Sequence, residues 1–89
     1  MFRIFWEPVG FARMQGLVSE NPNLKAGFAY TLSSLSLELG ESADTFGESR
    51  DEDYRLGFVG VLLVLVRVDS QKSTAHIVDV RLQKRAGHS

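Results

Sequence analysis

The chain has 89 residues, no cysteine, 44% hydrophobic residues and a formal net charge of -1. This length suits one hydrophobic core, so we expect residues 1–89 to form a single domain. The lack of cysteine excludes disulfides, thiolate metal sites and cysteine nucleophiles, and His76 and His88 alone do not make a zinc site, so we expect no metal and no other cofactor.

The two most apolar stretches do not predict a targeting or membrane segment. The N-terminal MFRIFWEP lacks the basic start and cleavage site of a signal peptide. The longest apolar run, residues 56–66, falls short of the roughly 20 residues that span a bilayer. We therefore expect a cytoplasmic protein that does not bind membranes.

The first half of the chain predicts a strand and two helices. Residues 2–6 are rich in β-forming side chains and alternate between two faces. A helix is expected to begin at Pro8 and end near Asn21. Asn21 and Pro22 then predict the cap and first turn of a second helix that ends at Gly40. Its apolar stripe consists of Leu24, Phe28, Leu32, Leu35 and Leu39.

The second half predicts an antiparallel meander. Tyr54, Leu56 and Phe58 share one strand face, Gly60 marks a turn, and residues 61–68 form a central strand. DSQK at 69–72 is a hairpin loop, and the last strand covers 74–83. One face of that strand is expected to carry Val78, Val80 and Leu82, and the other Ile77, Asp79 and Arg81. A further short strand is expected within residues 43–50.

The predicted order is therefore β-α-α-β-β-β. This pattern is typical of an α+β fold in which two N-terminal helices pack on one face of a mainly antiparallel, twisted sheet. Strand alternation then places one arginine from each of four strands on the helix-free face. These are Arg3, Arg55, Arg67 and Arg81, on the opposite side from Ile4, Leu56, Val66 and Val80.

Charge is unevenly distributed along the chain. Seven of the eleven acidic residues fall within 38–53, whereas from Tyr54 onward six basic residues accompany two acidic ones. Guanidinium groups bind phosphate and carboxylate in a bidentate way, so RNA or an acidic protein partner would suit the arginine face. Ion pairs on an ordinary solvent-exposed face explain the same pattern equally well.

Motifs for familiar catalysis are absent from the sequence. GFVG at 57–60 is not a phosphate-binding loop, and there is no GxSxG elbow. His76 lies on the predicted apolar side of its strand, which favours a structural histidine over a general base. The neighbouring acids 51–53 diverge in direction and favour a solvated run over a cation site.

The chain resembles the RelE/ParE superfamily of type II toxin–antitoxin toxins. The resemblance covers nearly the full length and rests on FRIFWEP at 2–8, on residues 46–85, and above all on Gly47-Glu48-Ser49-Arg50. The spacing GESR-x-x-x-x-R, followed by an apolar strand that ends in Val-Asp, is similar to one group of predicted plasmid-stabilisation toxins.

This resemblance implies a growth-inhibiting toxin that an acidic antitoxin neutralises. One branch cleaves mRNA on the ribosome as an mRNA interferase that needs no metal, and the ParE branch inhibits DNA gyrase. Transferred position by position, the resemblance implies catalytic roles for Arg55, Arg81 and Arg85. Four further basic residues are expected to bind RNA or other anions: Arg50, Arg67, Arg3 and Lys84.

Two departures keep an alternative function open. Leu62 and Leu63 stand where the nuclease branch carries Tyr-Arg, and no tyrosine follows Arg85. The alternative is a non-catalytic binding module of the same fold, either a gyrase inhibitor or a toxin that has lost its chemistry, so enzyme activity stays undecided. An unrelated α+β interaction domain is a third reading. An exposed edge, at residues 2–6 or at GESR, would accept a partner strand or form a homodimer.

Overall fold

The computed structural model describes residues 1–83, which contain two α-helices, two short 3₁₀ turns and five strands. In chain order the α-helices and strands are β1 (Arg3–Trp6), α1 (Pro8–Glu20), α2 (Lys25–Ser42), β2 (Glu48–Ser49), β3 (Tyr54–Val59), β4 (Leu62–Asp69) and β5 (Thr74–Leu82). The predicted order is confirmed, and the extra short strand is β2. Neither helix in this part of the chain has the length and apolar composition needed to cross a membrane.

The strands form one sheet in the order β1-β5-β4-β3-β2. β1 runs parallel to β5, and every other neighbouring pair is antiparallel. The first strand of the chain therefore lies beside the last one, at the edge opposite β2. Both helices pack on one face of this sheet, so the predicted α+β architecture is confirmed.

The core lies between the helices and that face of the sheet. Along β4, every second side chain from Leu62 to Val68 is buried. Helix α2 covers them with its own buried stripe of Phe28, Thr31, Leu35 and Leu39. No helix of residues 1–83 covers the opposite sheet face, which we call the open face.

Thr31 occupies the position in the α2 stripe that was predicted for Leu32. Leu32 is 36% exposed, whereas Thr31 is fully buried. The Thr31 hydroxyl donates a hydrogen bond to the Gly27 carbonyl at 2.7 Å and accepts one from the Val61 N–H at 2.9 Å. Gly60, at φ +54°, lies in the β3–β4 turn so close to Thr31 that any side chain at position 60 would collide with the Thr31 side chain. A polar residue is buried because the turn needs a hydrogen-bond acceptor.

Two predicted helix boundaries are wrong. Asn21 does not cap α2; its side-chain amide and its backbone N–H both donate to the Leu17 carbonyl and so close α1. A 3₁₀ turn at Pro22–Leu24 then precedes α2. Gly40 stays within α2, which continues to Ser42 and leads directly to the fully buried Ala43.

Candidate functional site on the open face

Strand pairing arranges the open-face side chains in four rows across the sheet. The rows are Phe58–Leu63–Arg81, Glu48–Leu56–Leu65–Asp79, Tyr54–Arg67–His76–Phe5 and Asp69–Thr74–Arg3. The first two rows have an apolar middle. The last two are mainly polar and aromatic. The open face therefore has two chemically different halves.

A β-bulge in β5 decides which of its side chains reach the open face. Leu65 pairs with Asp79 and Val66 pairs with Ile77, which leaves Val78 without a partner. The extra residue buries Ile77 against the helices and turns His76 to the open face. The predicted faces of Ile77 and His76 are therefore wrong, because simple alternation does not continue through a bulge.

Arg55 faces the helix side of the sheet, so its predicted orientation is wrong. Its cross-strand partner is Val66, a fully buried core residue. The Arg55 guanidinium donates hydrogen bonds from Nε to the Phe46 carbonyl at 2.5 Å and from a terminal nitrogen to the Gly47 carbonyl at 3.3 Å. Leu56, predicted to face the helices, lies on the open face instead. Arg55 thus fastens the segment that leads into β2.

Three leucines form the floor of a depression, which we call the leucine groove. It has a volume of about 290 Å³, and its lining consists of Leu56, Leu63, Leu65, Arg50, Arg81 and Asp79. Arg50 directly follows β2 and Arg81 lies on β5, so the two guanidinium groups flank the leucine floor from opposite sides. A neighbouring depression extends the groove toward Phe58, which is 64% exposed.

The two arginines of the leucine groove have only weak ion pairs. Arg50 lies 3.9 Å from Glu48, and Arg81 lies 3.9 Å from Asp79. The Asp79 carboxylate is closer to another partner, the Arg13 Nε at 3.1 Å. Exposed pairs at such distances contribute little free energy, so both guanidinium groups keep donors for a ligand.

A second group of side chains, the Glu7 cluster, consists of Arg3, Phe5, Glu7, Arg67 and His76. Glu7 Oε2 lies 3.2 Å from an Arg67 terminal nitrogen and 3.1 Å from His76 Nδ1. The Phe5 ring stacks on the His76 ring with centroids 5.1 Å apart, and the Arg3 guanidinium lies 5.7 Å from the Phe5 centroid. The cluster joins β1, β5 and β4.

Glu7 was not among the predicted site residues. Its backbone N–H donates to the Ile77 carbonyl at 3.0 Å, which continues the parallel pairing of β1 with β5 beyond Trp6 and brings Glu7 beside His76. A signal was available in the sequence, since an acid between a strand and the Pro8 helix start lies at a sheet edge. Its partner His76 could not be predicted, because the bulge in β5 places that residue on the open face.

The other predicted site residues are distributed as follows. Arg3, Arg67 and Arg81 lie on the open face, as alternation predicts, and Arg50 lies at the rim of the leucine groove. Lys84, Arg85 and His88 lie outside the described residues. The catalytic and anion-binding roles of the predicted residues stay predictions.

Comparison with solved structures shows a likeness over nearly the whole chain. It superposes on a chain from the crystal structure of the toxin–antitoxin complex RelBE2 from Mycobacterium tuberculosis with a TM-score of 0.63. The superposition covers 92% of this chain and 98% of that one, at 18% sequence identity. The chain has a RelE-like fold. No protein-family model matches its sequence, and no curated protein matches it either.

Proposed function

We propose that this protein is the toxin of a type II toxin–antitoxin pair, that it acts in the cytoplasm, and that an acidic antitoxin neutralises it. The RelE-like fold supports this proposal, and one observation on the open face carries it. Arg50 and Arg81 flank the leucine groove with side chains that are 55% and 71% exposed. Such a groove suits a ligand with anionic groups, whether RNA phosphates or protein carboxylates.

We propose mRNA on the ribosome as the target, cleaved without a metal. Attack of a ribose 2′-hydroxyl on the adjacent phosphorus puts extra negative charge on the phosphate oxygens, and guanidinium donors stabilise that charge. Of the three residues expected to be catalytic, Arg81 is the one that lies on the open face of the described structure, where its guanidinium would bind RNA phosphates. Arg55 is hydrogen-bonded on the helix side, and Arg85 is outside the described part of the chain.

A non-catalytic binding module, such as a gyrase inhibitor, is the alternative function. The observation that favours it is the apolar character of the leucine groove, whose floor is built from Leu56, Leu63 and Leu65 with the exposed Phe58 beside it. An exposed apolar surface with a charged rim is typical of protein–protein contacts. In this alternative the groove would hold side chains of gyrase or of the antitoxin.

The outer edges of the sheet are the proposed sites for strand addition. β1 and β2 each have one neighbour within the described sheet, so each has an unpaired side. An antitoxin strand or a second copy of the chain would add there through backbone hydrogen bonds. Size-exclusion chromatography of the protein with and without antitoxin tests both partners.

Induced expression in bacteria tests the toxin function. We expect the wild-type protein to arrest growth and a small acidic protein encoded beside its gene to restore it. The double variant Arg50→Ala with Arg81→Ala should raise colony survival at least tenfold, because it removes both guanidinium groups of the leucine groove. Lys25→Ala, an exposed cation at the start of α2, is the matched control and should stay toxic. A wild-type protein that does not slow growth would contradict the proposal.

Two assays with purified protein separate the targets. Cleavage of mRNA on translating ribosomes is expected, together with normal DNA supercoiling by gyrase. Blocked supercoiling with intact mRNA would instead support the binding-module alternative.

A further inference from the structure

Glu7 and His76 form a carboxylate–imidazole pair on the open face. His76 Nδ1 lies 3.1 Å from Glu7 Oε2. The negative charge of a carboxylate this close to Nδ1 favours the ring tautomer that carries its proton on Nδ1, which leaves the lone pair on Nε2. This is how a general base and its orienting carboxylate are arranged in hydrolytic enzymes.

Contacts from three strands restrict the orientation of both side chains. The His76 ring stacks on Phe5 at an interplanar angle of 21°. Glu7 is held through its backbone N–H to the Ile77 carbonyl and through its Oε2 to Arg67. A base whose ring plane and tautomer are both set in advance loses little orientational freedom when a substrate binds.

His76 Nε2 is open to solvent. Among residues 1–83, every buried side-chain nitrogen or oxygen has a hydrogen-bond partner. Nε2 forms no hydrogen bond with these residues, so it is not buried. The His76 side chain is 25% exposed, so part of the ring reaches the surface of the open face. Arg67, its cross-strand neighbour, is 39% exposed and uses one terminal nitrogen for Glu7. Its other donors are available to a phosphate beside His76.

We propose that His76 is the general base of an RNA-cleaving site, that Glu7 positions it, and that Arg67 holds the phosphate to be cleaved; this rests on the proposed mRNA target. His76 Nε2 takes the proton of a ribose 2′-hydroxyl, whose oxygen forms a bond to the adjacent phosphorus. The bond from phosphorus to the 5′-oxygen breaks, that oxygen takes a proton from water, and the imidazolium returns its proton to solvent. The products are a 2′,3′-cyclic phosphate and a 5′-hydroxyl.

Single-turnover cleavage on translating ribosomes tests the assignment. His76→Gln should lower the cleavage rate by roughly 100-fold or more, which is the usual effect of removing a general base. Glu7→Gln should lower the rate by about tenfold and leave the half-saturating ribosome concentration within about twofold, since a positioning residue affects the base and not substrate binding. His88→Gln, at the other histidine of the chain, is the control and should retain the wild-type rate. Mass spectrometry should find the cyclic phosphate.

Two measurements distinguish a variant that fails to fold from one that is folded but has lost its catalytic group. Circular dichroism and urea unfolding show whether each variant is folded. A long-range ¹⁵N–¹H spectrum of the wild-type protein reports the His76 tautomer directly, and a neutral ring with its proton on Nε2 would overturn the assignment even if His76→Gln fails to fold.

The outcomes also separate this inference from the proposed function. A toxin that cleaves mRNA as fast with His76→Gln as without it overturns the inference and leaves the toxin function standing. Growth arrest without RNA cleavage would likewise overturn the inference about His76 and leave the toxin function standing. A protein that neither arrests growth nor cleaves RNA overturns both.

Discussion

Replacing Thr31 by valine would remove one buried hydroxyl and nearly preserve the shape of the side chain. That hydroxyl connects α2 to the β3–β4 turn through its hydrogen bonds with Gly27 and Val61. The two bonds are not equivalent. The Gly27 carbonyl is also the acceptor for the backbone N–H four residues later in α2, whereas the Val61 N–H loses the acceptor it has in the hydroxyl.

The expected cost follows from the Val61 N–H. Leaving a partly buried donor without an acceptor costs about 1–3 kcal/mol. We expect Thr31→Val to lower the free energy of unfolding by about 2 kcal/mol. For a chain of this size each kcal/mol corresponds to about 4–8 °C in Tm, so Tm should fall by roughly 10 °C. Thr31→Ser keeps the hydroxyl and loses one methyl group, and should cost about 1 kcal/mol.

Urea unfolding followed by Trp6 fluorescence measures the stability of both variants. An equal slope of unfolding free energy against urea concentration shows that each variant exposes the same surface on unfolding. The order of stability should be wild type, then serine, then valine. A valine variant as stable as the wild type, or more stable than the serine variant, would refute the view that the turn depends on this hydroxyl.

Other expectations concern packing and the arginines. Gly10→Ala should lose about 1–3 kcal/mol of unfolding free energy, because the added Cβ would lie 2.7 Å from the Ile77 carbonyl oxygen. Gly16→Ala, in the same helix, should gain about 0.5–1 kcal/mol of unfolding free energy, because an added Cβ there would have nothing within 4 Å. If urea unfolding found the Gly10 variant more stable than the Gly16 variant, the packing of α1 on β5 would be contradicted. Arg55→Ala should lose about 1–2 kcal/mol with its two carbonyl partners. Arg50→Ala should change stability by less than about 0.5 kcal/mol, and equal effects of these two variants in thermal unfolding would argue against a structural role for Arg55.

The order of the elements was predictable because local patterns determine it. Pro8 marks the start of α1, Pro22 marks the short turn that leads into α2, Gly60 marks the β3–β4 turn, and the apolar strands differ clearly from the polar loop at 69–72. Arg81 was placed on the correct face because it follows the buried Val80, with no irregularity between them.

The face of β3 was not predictable from apolar patterning. Leu56 lies on the open face, and its neighbour Gly57 faces the core, where the Phe46 ring fills the space that a side chain would need. A glycine gives no hydrophobic signal, and the residue that takes its place comes from another part of the chain. Alternation read from the leucine therefore placed Arg55 on the wrong side.

Tertiary contacts also determine the Glu7 cluster and the buried Thr31. The bulge at Val78 lies where Gly10 of α1 packs against the backbone of β5. Thr31 and Leu32 are both compatible with a helical stripe, and only the approach of the β3–β4 turn decides between them. Features of this kind depend on the packing of segments that are distant in sequence, and hydrophobic periodicity does not predict such packing.

The parallel pairing of β1 with β5 has a consequence for synthesis of the chain. Arg3 pairs with Thr74, so β1 cannot take its place in the sheet until the ribosome has translated the chain through β5. At roughly 5–20 residues per second, β1 waits some 4–15 seconds for its partner. Pairing over such a sequence separation also slows folding after release from the ribosome. During that interval neither Glu7 nor Phe5 has met His76, and the Glu7 cluster is among the last parts of the molecule to form.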